Sequence, residues 1–113
     1  MPALKCDVTI EQGATFQREF RVTDKGKDIA GFTSFVTRAM LRTNSGALAA
    51  SFTTAVTGPR TVLITLSAGQ TALLPAATGF THKFDVEAES PLGIVYRIAQ
   101  GNATISAEQT KGG

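Results

Sequence analysis

Tryptophan is absent from this chain, and cysteine, histidine and tyrosine occur once each, as Cys6, His82 and Tyr96. A single cysteine excludes a disulfide within the chain. One Cys and one His cannot build the cluster that holds a structural zinc ion, and Cys6 reads as a small buried hydrophobe near a strand start. His82 sits among strand residues, not in a loop where a nucleophile could reach it. An enzyme would have to rely on carboxylates alone, and no positioned acid–base set stands out. The glycines fall in turns, not in a phosphate-cradling loop between strand and helix. The expectation is therefore a protein that is not an enzyme, with no cofactor, no metal ion and no small-molecule substrate.

Charge is scarce too. Charged residues make up 18% of the chain, and the deficit is filled by Thr, Ser, Ala and Gln, which suits surfaces that meet other proteins. Eleven Lys and Arg against nine Asp and Glu give a net charge of +2, too small for an electrostatic footprint. Arg18, Arg21, Arg38, Arg42 and Arg97 are scattered along predicted strands without stacking aromatics beside them, so no nucleic-acid partner is expected. No stretch approaches the ~20 apolar residues of a membrane helix, and residues 1–15 lack the apolar run of a signal peptide. These features predict a protein made in a cytoplasm without membrane contact. In that setting Asn102-Ala103-Thr104, which fits the glycosylation sequon, carries no meaning.

What is present is a period of two. At 113 residues and 42% apolar content the chain is expected to form one domain, 1–113, around one core. Leu4, Cys6, Val8 and Ile10 alternate with polar residues. After a turn at Gln12-Gly13, Phe16, Phe20 and Val22 share a face on which Arg18 is an intruder, as at an edge where its stem packs and its head reaches water. Asp24-Lys25-Gly26-Lys27-Asp28 reads as a hairpin loop; its acidic spacing faintly resembles a calcium loop, but the lysines and the missing downstream Glu argue against that. A long strand is predicted from Ser34 to Arg42, then Leu48–Phe52, then Val62–Leu66. Ser67 with Gln70 has the form of a capping box opening one helical turn, Ser67–Leu74. Phe80, His82, Phe84, Val86 and Ala88 then alternate with a face carrying Asp85, Glu87 and Glu89, read as solvated. After the Ser90–Gly93 turn come a strand through Ile94, Tyr96 and Ile98, a bulge or break at Gly101, and a last strand through Ala103, Ile105 and Ala107. Short strands with turns every 8–12 residues predict an all-β, antiparallel, immunoglobulin-like β-sandwich with at most one short helical turn.

The ordered set of features resembles a small β-sandwich family of tailed phages, typified by the N-terminal domain of baseplate upper proteins. The resemblance runs through Ile10-Glu11-Gln12-Gly13-Ala14-Thr15-Phe16, through Ile29-Ala30-Gly31-Phe32-Thr33 leading to Leu41-Arg42, and through the segment from Val62 to Leu74. It continues in Phe84-Asp85-Val86 and in Arg97–Ile105. It implies a structural protein of the virion, made in the host cytoplasm: a tail, baseplate, fibre-attachment or neck component. Its partners would be other virion proteins and copies of itself. A capsid decoration protein, or an immunoglobulin-like module that binds a host carbohydrate or protein, is the alternative. The family has no catalytic residues to carry over.

Two segments are candidate contacts on physical grounds. Thr53-Thr54-Ala55-Val56-Thr57 and Asn102-Ala103-Thr104-Ile105-Ser106 carry neither charge nor proline, the devices that blunt a sheet edge. Leu73, Leu74, Pro75 and Phe80 add apolar surface near one end of the domain. The expected interface residues are thus Leu73, Leu74, Pro75, Phe80, Val56 and Ile105. The competing reading folds the leucines back to plug the end of the sandwich.

Overall fold

Alternation decides which side chains enter the core. In the strand Thr61–Leu66, Val62, Ile64 and Leu66 are fully buried while Thr61, Leu63 and Thr65 face outward. In His82–Glu89 the buried set is His82, Phe84, Val86 and Ala88. The computed structural model describes residues 3–24 and 26–107. Within them lie β1 (Leu4–Lys5), β2 (Val8–Glu11), β3 (Phe16–Arg21), β4 (Val36–Thr43), β5 (Leu48–Gly58), β6 (Thr61–Leu66), α1 (Ala68–Ala72), β7 (His82–Glu89) and β8 (Val95–Ser106).

The strands form two layers. In the first, β8 pairs with β7, β7 with β4, and β4 with the Leu48–Phe52 half of β5, all antiparallel. In the second, the Thr53–Gly58 half of β5 pairs with β6, and β6 with β3, again antiparallel. β5 therefore passes from one layer to the other. β1 and β2 add a parallel edge to β8. The order β8–β7–β4 facing β3–β6–β5 is the G–F–C against B–E–D arrangement of an immunoglobulin-like sandwich, with the first strand moved onto the last. Phe20 on β3 stacks against Phe84 on β7 with ring centroids 6.2 Å apart, joining the layers. Each large apolar side chain so buried contributes roughly 1.5–3 kcal/mol.

The helical turn forms where the capping pattern places it. Ser67 Oγ accepts from the Gln70 amide at 3.1 Å, and Gln70 Oε1 accepts from the Ser67 amide at 2.9 Å. A 3-10 turn at Phe32–Ser34 is additional. It drops Phe32 into the core while Thr33 and Ser34 stay outside, so β4 begins at Val36, two residues later than the alternation suggests.

Gly101 corrects a further expectation. It neither bulges nor breaks the last strand: β8 is continuous, and the register shift lies opposite Val86/Glu87, leaving Ile98 as the extra residue. A Cβ at Gly101 would stand 1.5 Å from the Cys6 carbonyl oxygen. Glycine is needed there because the link between β1 and β2 presses its backbone onto β8, with the Cys6 amide donating to the Gln100 carbonyl at 3.1 Å.

Candidate interaction surfaces

The six residues expected at an interface divide. Leu73 is 86% exposed, and Pro75 and Phe80 are exposed beside it in sequence. Leu74 and Ile105 are buried, which corrects their assignment as contact residues. The cause for Leu74 is helical spacing: α1 turns Thr71 and Leu74 to the core and leaves Leu73 outside, so the turn both plugs the sandwich and presents one leucine. The cause for Ile105 is topology. Asn102–Ser106 is no free edge, because β2 pairs with β8 there, placing Ile10 opposite Ile105. Val56 is half-buried and packs against the core. Its strand keeps an open flank for a short stretch only. At Thr54 the flank toward β4 is closed by the hydroxyl, which donates to the Thr37 carbonyl at 3.0 Å. From Ala55 to Gly58, among the described residues, β6 alone is paired with β5.

More exposed large apolar side chains lie toward the opposite end of β7, where the sequence reading did not look. Val36, Glu89 and Val95 stand in one row across β4, β7 and β8. Val36 is 66% exposed, and Val95 and Ile94 are about half exposed. Leu92, at the tip of the β7–β8 hairpin, is 89% exposed. The hairpin is held by the Ser90 amide donating to the Ile94 carbonyl at 2.8 Å and the Gly93 amide donating to the Ser90 carbonyl at 2.9 Å. The signal in the sequence was Val36 itself: it shares the outward column of β4 with Arg38, Met40 and Arg42, where an apolar residue has no core to enter.

Between the two ends, the outward face of β4–β7–β8 carries an ion-pair network. Glu87 receives Arg38 Nε at 3.1 Å on one carboxylate oxygen and Arg97 Nη2 at 3.0 Å on the other. Arg38 also reaches Glu89 at 3.2 Å. Residues far apart in sequence are thus gathered by register, and the face read as merely solvated is cross-linked. Arg97 foremost, with Arg38, holds the Glu87 carboxyl below its ordinary range, against the opposing effect of burial.

Cys6 is half-buried against the core; burial pushes its thiol up, partly countered by the Arg18 charge. Arg18 resolves the intruder on the apolar face: among the described residues β3 pairs only with β6, so Arg18 lies on an edge strand, exposed, its guanidinium 5.9 Å from the Phe20 ring centroid. His82 is buried, with Nδ1 2.8 Å from the Thr81 hydroxyl.

One concavity of about 740 Å³ opens on the same outward face, between the β1–β2 link and the β4–β5 hairpin. Its rim carries Lys5, Arg42, Lys83 and Arg97 as cations and Asp7 and Asp85 as anions, with the β8 residues Gln100, Gly101 and Asn102 in its floor. Asp7 Oδ1 accepts from the Asn102 amide at 3.1 Å, fixing the N-terminal wall.

No protein-family model matches this sequence, and no curated protein matches it. Among solved structures, the titin M3 domain is similar to it at 12% identity and a TM-score of 0.48, over 92% of this chain and 91% of that one. The assignment of this chain as an immunoglobulin-like sandwich rests on its strand order.

Proposed function

We propose that this domain is a structural component of a tailed-phage virion, of the tail, baseplate, fibre-attachment or neck region, and that it works through protein–protein contacts. The observation that carries the contact role is the set of exposed apolar side chains at the β7–β8 end, where Val36 and Val95 stand on either side of Glu89. Val36, Leu92, Ile94 and Val95 together leave water-facing apolar surface that a monomer gains nothing by keeping. Leu73 and Phe80 offer a second apolar surface beyond the other end of β7. The placing in a virion is supported by the ordered resemblance from Ile10 to Ile105, which runs through the same turns and strands that build the sandwich.

Two apolar surfaces on different parts of the domain favour a head-to-tail contact, which closes into a ring or extends along an axis. Mass spectrometry of purified particles tests the reading. The protein should be present at a fixed, high copy number and resist a salt wash. Its absence from particles overturns the proposal.

A further inference from the structure

Arg42 and Lys83 stand directly opposite each other on β4 and β7, both on the outward face. Like charges in opposed cross-strand positions are destabilising unless something neutralises them. No salt bridge forms to either among the described residues. Arg42 makes do with neutral acceptors, the Gly46 carbonyl at 3.4 Å and the Met40 sulfur at 3.1 Å. Two outward rows further along, the arrangement differs: there Arg38 and Arg97 flank Glu87, which neutralises both, and the row between holds Met40, Asp85 and Gln100. The Arg42–Lys83 row itself holds no carboxylate, with Asp85 one outward row away and Asp7 at its Asn102 end, and it borders the concavity between the β4–β5 hairpin and the β1–β2 link. Lys5 adds a third cation on the far wall.

We propose that this groove binds an acidic peptide segment of a partner protein, with one carboxylate seated between Arg42 and Lys83. Charge complementarity selects the occupant. Asp7 and Asp85 also face the groove, so an unbroken polyanion such as a nucleic-acid backbone would meet repulsion along its length. A peptide meets less, because its carboxylates sit on flexible side chains that can swing clear of Asp7 and Asp85, and its backbone offers amide donors to Asp85, Gln100 and Asn102. Stacking is not on offer to bases or sugars either: the aromatic residue in the wall, Phe84, is buried. Leu48, opposite Arg42 on β5 and more than half exposed, supplies an apolar flank beside the carboxylate seat. This inference rests on the reading that the domain works by contact with other proteins, and it names the chemistry of one such contact.

The test is binding of a fluorescent hexaglutamate peptide to the full chain at low ionic strength, with hexaglutamine and a polyphosphate of matched charge as the other arms. Hexaglutamate should bind, hexaglutamine should not, and affinity should fall as salt screens the charges. Arg42→Gln with Lys83→Gln should weaken binding by about tenfold or more, equivalent to about 1.4 kcal/mol. The folded state of that variant, followed by thermal melting, should be unimpaired because a repulsive pair has been removed. Amide NMR shifts on titration should concentrate at residues 42–46, 83 and 100–102. No binding of hexaglutamate, binding indifferent to the double substitution, shifts elsewhere, or tighter binding of polyphosphate would each overturn the assignment. Such failure would leave the presence of the protein in particles, measured separately, untouched.

Discussion

At the scale of single residues, the structure turns on places where a backbone or a carboxylate has no alternative. Gly101→Ala would drive a methyl group into the Cys6 carbonyl, so β1 must leave β8. The expected cost is about 1–3 kcal/mol, read by denaturant titration, with loss of hydrogen-exchange protection at the Cys6 amide. Retained protection at that amide would contradict the close approach. Glu87 gives a pH prediction. Its folded-state pKa lies below the ordinary glutamate value of 4.5, so its contribution is complete above that value. It is lost as pH falls from there through the lowered folded value. Glu87→Gln should therefore cost about 1 kcal/mol or less at pH 7, and the gap between variant and parent should close in acid. A gap that is the same at pH 7 and pH 3 would show that the Arg38–Glu87–Arg97 network contributes nothing as ions. Both predictions concern features the sequence hides. Period-two alternation tells which side of a strand a residue faces, but not which residue of another strand stands opposite. Gly101 therefore read as a strand break, and Glu87 as a solvated acid.

At the scale of elements, what was legible is what is local. The Ser67/Gln70 capping box is a three-residue pattern, and it forms as read. The inward sets of β6 and β7 follow directly from alternation. What failed was pairing. Ile105 was placed on an open edge because its segment lacks charge and proline, yet β2 covers it, a contact between residues almost a full chain length apart. Leu74 was placed at a surface because its neighbours are loop residues, yet the turn of α1 delivers it to the core beside Thr71. The element-scale prediction concerns that turn. Buried Thr71 Oγ1 donates to the Ala14 carbonyl at 2.8 Å, tying α1 to the β2–β3 connection. Thr71→Val keeps the shape but strands the carbonyl, with an expected loss of about 1–3 kcal/mol. Thr71→Ser, which keeps the hydroxyl, should recover most of the hydrogen bond and lose only the methyl packing. Equal stability of the valine variant and the parent would contradict the tie.

At the scale of the whole molecule, an immunoglobulin-like sandwich has two ends and two outward faces, and in this chain they differ in chemistry. One end exposes Leu92, Ile94, Val95 and Val36, and Leu73 and Phe80 are exposed elsewhere. The β4–β7–β8 face carries the charge network and the groove. On the proposed function, burial of these apolar side chains against neighbouring proteins is the driving force for assembly. Leu92→Glu should leave the fold unchanged, since that side chain touches little, while reducing incorporation into particles. The account is tested most directly by cross-linking mass spectrometry of intact particles. It predicts that residues 92–95 and the 73–80 segment cross-link to other chains, copies of this one or a neighbouring virion protein. Particles that contain the protein with both segments free of inter-chain cross-links would contradict the contact surfaces, and particles without the protein would contradict the function.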